Sequence, residues 1–344
     1  SDTPVLNGWM AFDSTAVLLT MTGTEYAFND VKIPVENSAM QFRGFTISGT
    51  NDKPLTVNGS VNLSDFANPG VDLRLQADGM QIINTNRARR GADLFGKAFI
   101  GLKANAKGNM NFMAVDASLR ILPGTNVTYV MPDATSEIAN YSSGELVKFV
   151  NFTDSVAMAR ADSIAQPALA LMLDALLTIE DGATLNVDLS ADGKDRVSLE
   201  STGTLNYTMT PLTTGRLTGR LTLNGGYVRY TPPLMSEKLF HFEEGSYVAF
   251  NGDMMNPTLN VHATDVVKAN VTQEGQNSRL VNFDVALGVT GTLNNMNVAF
   301  DLSTNDDITV ANELESMSPE QRANQAMNLL IYNVYTGPGT KGNA

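Results

Sequence analysis

Apolar and polar residues alternate one for one along much of the chain, and the pattern recurs many times. Leu55, Val57, Val61 and Leu63 alternate with Thr56, Asn58, Ser60 and Asn62, with Gly59 taking an apolar slot. Leu185, Val187 and Leu189 face away from Asn186, Asp188 and Ser190. The same spacing runs through Val197 and Leu199, then Leu205, then Leu217, Leu221 and Leu223. Leu259, Val261 and Ala263 keep it, as do Val285, Leu287 and Val289. A period of two buries one face of a strand and wets the other, as in antiparallel sheets.

Turn residues punctuate these runs. Asp192-Gly193, Glu180-Asp181-Gly182, Asn224-Gly225-Gly226 and Asn251-Gly252-Asp253 are hairpin signals. From Leu169 to Leu302 the chain therefore reads as one continuous series of strands. The stretch Ala168–Ile179 has helix-forming residues, but its Leu and Ala positions hold strict alternation into a turn, which predicts a strand. The stretch Asn86–Leu102 is less regular, and its start is expected to be a loop or a short helical turn.

The last segment changes period. Ser318 is placed as an N-cap, Pro319 at the first helical position and Glu320 in the first turn. Ala323, Met327, Leu330, Ile331 and Val334 then share one helical face, and Gly337-Pro338-Gly339 is expected to end the helix. The prediction is an all-β domain over residues 1–315 and a capping helix and tail over 316–344.

Composition narrows what such a sheet can be. Hydrophobic residues are 43% of the chain but aromatics only 7%, so few rings are available to fill the space between two closed sheets. Two arrangements fit: a sandwich whose apolar faces meet, or an elongated sheet curled over an open apolar groove. Periodicity alone favours the closed form. With roughly 18–22 strands about 4.8 Å apart, a groove would run on the order of 90–100 Å. A net charge of −13 argues against nucleic acid as a partner and against attraction to anionic membrane surfaces. Any contact with lipid would have to use apolar surface. The sequence contains no run of eighteen apolar residues, and Ser1-Asp2-Thr3 lacks a secretory leader pattern. A start without Met reads as a processed or trimmed chain.

Candidate chemistry is sparse. Cys is absent, and the two histidines, His241 and His262, have no metal-ligand spacing. The acidic residues of Asn305–Val310 and Phe152–Ser163 are too thinly spaced for a calcium loop. No nucleophile elbow or phosphate-binding loop is present. Neither a catalytic residue, a metal nor a cofactor is therefore assigned. Asn86–Gly91 is the one basic cluster, read as a solvated loop or as a rim that contacts lipid headgroups. Asp-Ser-Thr at Asp13 and Asp-Ser-apolar at Asp154 and Asp162 resemble the O-glycosylation acceptor of Bacteroidota envelope proteins, which would place sugar on Ser14, Ser155 or Ser163.

The most distinctive segment is Leu239–Asp265. It has an aromatic strand, an acidic-Gly turn, a strand ending in Phe-x-Gly, and then Asn-Pro-x-Leu-x-x-x-Ala. Phe240, Phe242, Gly245, Phe250, Gly252, Asn256, Pro257, Leu259 and Ala263 carry a resemblance to the C-terminal domain of the TamB family, the translocation and assembly module of Gram-negative bacteria. Leu217–Tyr230, Asp93–Asp133 and the terminal helix with its Leu-Leu pair are similar to that family too, so the likeness runs from Asp52 to Gly339. The wording of Leu329–Gly339 looks most like members from the Bacteroidota.

The resemblance implies an antiparallel-rich β-taco with an apolar interior, of the AsmA-like, bridge-type lipid transfer kind. It implies a parent anchored in the inner membrane, a periplasmic location and an Omp85-type outer-membrane barrel as partner. It also implies that the chain of family members continues past the terminal helix, so barrel docking is expected to lie outside residues 1–344. Together these give a non-enzymatic module for inner-to-outer membrane lipid transport and outer-membrane biogenesis. Its groove for phospholipid acyl chains would be lined by Leu185, Val187, Leu189, Val197, Leu199, Leu205, Leu217, Leu221, Leu223, Leu259, Val261, Val285, Leu287 and Val289. Two alternatives stay open: an assembly chaperone whose sheet edge pairs with nascent barrel strands, and a repetitive adhesin or β-helix carbohydrate enzyme.

Overall fold

The alternating segments pair edge to edge into one curled, mixed sheet of nineteen strands, followed by two helices. The structure, a computed structural model, describes residues 4–19, 22–86, 94–130, 170–231, 236–273, 275 and 277–337. A short first group comprises β1 (Gly8–Met10), β2 (Ala16–Leu19), β3 (Thr24–Phe28) and β4 (Ile33–Glu36). β1 and β2 hang from β4 and β3, which in turn share β5 (Ala39–Ser48). From there β6 (Leu55–Asn62), β7 (Gly70–Thr85) and β8 (Leu94–Asn109) form an antiparallel meander.

Past β8 the sheet changes rhythm. β9 (Phe112–Ile121) and β10 (Asn126–Val130) lie end to end along β8, and β11 (Ala170–Ile179) and β12 (Thr184–Asp188) lie end to end along β13 (Arg196–Thr210). These two broken rows meet in parallel, β9 with β11 and β10 with β12. β14 (Thr213–Tyr230) then pairs with a third broken row, β15 (Lys238–Phe242) and β16 (Tyr247–Gly252). β17 (Thr258–Val271), β18 (Arg279–Thr292) and β19 (Asn295–Ser303) close the sheet as an antiparallel meander. Because the broken rows take two strands each, nineteen strands fill only about fourteen rungs. At about 4.8 Å per rung the sheet spans about 60 Å, shorter than a strand count read from sequence suggests.

The breaks line up. Gln81 is opposite Phe99, and the Thr125 hydroxyl accepts from Phe99 N–H at 3.1 Å. Thr184 N–H donates to Thr125 O at 2.9 Å, and Thr184 is opposite Glu200. The register slips between Glu200 and Ser201, next to Leu223, whose N–H donates to Ser246 O at 2.7 Å. β7 slips twice within Asp78–Ile83 on the same line. Bulges bend a strand and increase its twist, so this row of slips and turns is a crease along which the sheet curls.

The C-terminal end carries one helix more than the sequence reading gave. α1 (Ile308–Glu315) starts on Asp307, whose carboxylate accepts from Val310 N–H at 3.0 Å. α2 (Pro319–Tyr332) starts as expected, with Ser318 and Gln321 in a reciprocal capping box and Pro319 in its first turn. It stops before Gly337 because Asn333 adopts a left-handed conformation, φ 55°. Its buried positions are Ala326, Leu329 and Leu330, while Val334 is exposed.

Candidate functional site

Residues directly opposite each other in antiparallel strands point to the same side of a sheet. That rule traces one apolar face across the molecule. Leu185 is opposite Leu199, Val187 opposite Val197, and Leu205 opposite Leu177. Leu221 is opposite Val248, which is opposite Leu259. Val261 is opposite Val289, and Leu287 opposite Ala263. Leu217 and Leu223 lie on β14 beside them, and Val285 on β18. Leu189 sits just past β12, where its N–H donates to Asp195 O at 2.8 Å. Leu205, Leu223, Val285 and Val289 are buried, and the other expected lining residues are half-buried.

Strand glycines set the curvature of this face. Gly203 and Gly219 have φ of 152° and 121°, and each stands across from a leucine, Leu221 and Leu205. A Cβ on Gly203 would lie 2.2 Å from Arg220 O, so only glycine permits the close approach of β13 and β14 here.

Each end of the face holds a packed apolar cluster, and among the described residues several side chains between them keep partial exposure. At the N-terminal end Phe12, Phe28, Phe42 and Phe45 cluster around Ile33, Met40 and Val57, with ring centroids 5.1 Å apart for Phe12 and Phe28. At the C-terminal end α1 and α2 lie on β17–β19, burying Val271, Val281, Phe283 and Leu302 completely or nearly so. Between them Leu171, Leu173, Leu177, Leu199, Leu217 and Leu221 are half-buried.

Beside the aromatic cluster an open apolar cavity of about 360 Å³ is lined by Val17, Tyr26, Phe28, Ile47, Leu55, Met80, Ile82, Ile100 and Leu102. The Tyr26 hydroxyl is turned away from solvent, donating to Ile82 O at 2.6 Å, and burial pushes its pKa up. None of these nine residues is among the lining residues expected from sequence. Their strands carry the same alternation; what was not visible was that β2 and β3 fold over the face of β7 and β8.

Charge is scarce on the face. Asp265, opposite Val285, occupies an apolar-face position on β17, and burial pushes its carboxyl above the ordinary range. Among the described residues no group of three or more His, Asp or Glu side chains could hold a metal ion. His262 is exposed, with Nε2 3.0 Å from Asn260 Oδ1.

The nine motif residues form the joint between β15, β16 and β17. Phe240, Gly252, Pro257 and Ala263 are buried, and Phe242, Phe250 and Leu259 half-buried. Gly245 takes φ 89° in the turn where Ser246 N–H donates to Glu243 O at 3.2 Å. Asn256 Oδ1 accepts from Asn294 N–H at 2.9 Å, tying two neighbouring turns together. Ser14 lies in an exposed turn, with its hydroxyl 3.3 Å from Asp13 Oδ1. Ser155 and Ser163 and the arginines of Asn86–Gly91 lie outside the described residues.

The family model for the TamB C-terminal domain matches residues 43–343. No curated protein matches the chain.

Proposed function

The chain belongs to the TamB C-terminal domain family, and from that premise we propose that its apolar face carries phospholipid acyl chains. The family gives the chain a TamB-type role in outer-membrane assembly in the Gram-negative envelope, and it is not a family of enzymes. No helix among the described residues is long and apolar enough to cross a membrane.

The observation that carries the lipid reading is the partial exposure of Leu171, Leu173, Leu177, Leu199, Leu217 and Leu221 in the middle of the face. These side chains are partly covered yet keep apolar surface free. Each buried CH₂ of an acyl chain contributes about 0.8 kcal/mol. A surface of Leu, Val and Ala offers that gain almost evenly along its length, so a chain can slide without a deep minimum. Headgroups stay in water, which suits a molecule of net charge −13. In this reading the domain works in the periplasm, on a parent anchored in the inner membrane, and passes lipid toward an Omp85-type barrel.

Organic extraction of the purified protein followed by lipid mass spectrometry tests it. Val187→Asp and Val261→Asp, both at half-buried positions, should strip the co-purifying lipid while leaving the circular dichroism spectrum of the sheet intact. A folded variant with unchanged lipid content would sink the proposal.

A second reading, chaperoning of barrel strands by edge pairing, draws on β2. Its only strand partner among the described residues is β3, and Val17, Leu18 and Leu19 are 50%, 57% and 43% exposed. Such an edge is a template for another strand. Photo-crosslinks from Leu18 to client peptides, absent from Leu221, would favour this reading over the conduit.

A further inference from the structure

The apolar face does not end where α1 and α2 begin; it runs on beneath them. By register, Val267 and Phe283 occupy the same inward positions as Val261 and Val289 further along the same two strands. Val261 is half-buried, whereas Phe283 is 0% exposed, packed in one cluster with the two helices and Tyr335. Leu314 of α1 and Leu329 of α2 lie in the same packed cluster as Phe283.

Beyond the apolar packing of this cluster, polar contacts fasten the cover around its margin. Arg279 of β18 pairs with Asp307 at the start of α1. Arg322 of α2 donates to Asp301 of β19 at 2.7 Å. The Tyr335 ring stacks on Phe283 with centroids 5.0 Å apart, and its hydroxyl donates to Glu313 of α1 at 2.8 Å. The helices have 8 and 14 residues, lengths at which an isolated helix is marginal in water. Their order therefore depends on the surface they cover.

We propose that the strip of β17–β19 under α1 and α2 is a second stretch of acyl-chain surface, occupied by the chain's own helices until lipid displaces them. The occupant is an acyl chain because the strip continues, in register and in side-chain type, the half-buried face already assigned to lipid; the inference rests on that reading. The helix pair is then a stopper that closes one end of the route. Breaking its marginal ion pairs loosens the cover while leaving the apolar side chains of the strip in place.

The chain contains no cysteine, so site-specific labels are clean. Asn324→Cys on α2 and Asn297→Cys on β19, both at exposed positions, can carry spin labels for pulsed distance measurement. The protein is measured alone and with vesicles of phosphatidylethanolamine and phosphatidylglycerol, and uptake of a fluorescent diacyl phospholipid is followed in parallel. A single distance is expected without lipid and a second, longer one with it. Arg279→Gln combined with Arg322→Gln should show the longer distance without lipid and take up at least twofold more probe.

An unchanged distance in protein saturated with probe would overturn the stopper and leave the lipid reading standing. If no form of the protein takes up probe, the lipid reading falls and the stopper falls with it. Should the double variant fail to fold, cysteines placed instead at Asp301 and Arg322, whose side chains touch, and joined by a short bis-maleimide decide the matter. Tethered protein should take up less probe than untethered, and equal uptake would overturn the proposal.

Discussion

The Ser246 hydroxyl stands in for a main-chain neighbour of His262, accepting from its N–H at 3.0 Å and donating to its carbonyl at 3.2 Å. Thr125 does the same for Phe99, at 3.1 and 3.3 Å. Both hydroxyls sit where two short strands meet end to end against one long one. There the carbonyl of the long strand is already paired, with Glu243 N–H or Leu122 N–H, but its N–H would otherwise face a gap, and a buried unpaired N–H is costly. Side chains thus complete the ladder along the crease and let the sheet bend without losing its hydrogen bonds.

Ser246→Ala should therefore destabilise the fold by about 1–3 kcal/mol, the usual cost of stranding a buried donor. Thr125→Val, which keeps the shape and removes the hydroxyl, should cost a similar amount. The two sites lie many strands apart, so the double variant should be close to additive. Urea unfolding gives the stabilities, and amide exchange at His262 and Phe99 should quicken each in its own variant only.

Gly203 and Gly219 give a steeper test of the curl. A Cβ at these positions would lie 2.2 Å from Arg220 O and 2.4 Å from Thr204 O, and both residues have positive φ. Gly203→Ala and Gly219→Ala should each cost at least about 1–3 kcal/mol from backbone strain, before any steric displacement. Gly70→Ala is the control: it lies on β7 without a positive φ, and its nearest neighbour would be 3.5 Å away. A denaturant midpoint for Gly203→Ala equal to that of Gly70→Ala would argue against this account of the curvature.

The alternation told the sheet from the start because a period of two is a property of each strand alone. It put Leu185 with Val187 and Leu259 with Val261 on one side of their own strands before any pairing was known. Pairing itself is a relation between distant segments, and alternation is silent about it. The parallel contact of Leu119 with Leu177, for instance, needs the partner's register and leaves no mark on either strand. Strand count also misled on length, because β9 and β10 share one rung. The cavity behind Tyr26 depends on where β2 and β3 fold. α1 did leave a signal: Asp307 is a good N-cap, and Val310 and Leu314 follow at helical spacing, but two adjacent aspartates drew attention to metal binding instead. The hydroxyls of Ser246 and Thr125 look like any other turn residue.

Asp307 makes the helix pair sensitive to acid. The hydrogen bond from Arg279, more than the amide of Val310, holds its carboxyl at about 2, below the usual 3.8. A depressed pKa means the contribution is fully present above about pH 4 and is lost as the pH falls toward 2. Wild type should thus be more stable than Asp307→Asn by a constant margin from pH 5 to 8, and the margin should vanish between pH 4 and 2. Thermal unfolding at stepped pH measures it. A margin that persisted at pH 2 would mean the side chain acts by shape and not by charge.

Val17 separates ligand binding from stability. It lines the open cavity while being 50% exposed, so it stands at the rim and not in the core. Val17→Trp has room to lay its ring over the opening without displacing packed neighbours, and a rim change of this kind usually alters stability by less than about 0.5 kcal/mol. If acyl chains enter the curl here, the variant should take up several-fold less fluorescent phospholipid with its urea midpoint unmoved. Overpacking the sheet by Ala98→Leu, two residues along β8 from the lining residue Ile100, is the contrast. Ala98 is 5% exposed within the packed sheet, and overpacking there should cost about 1–3 kcal/mol, so any loss of probe would come with a loss of stability. Equal uptake by Val17→Trp and wild type would remove this end of the face from the lipid route and leave the half-buried middle and the strip under α1 and α2 to consider.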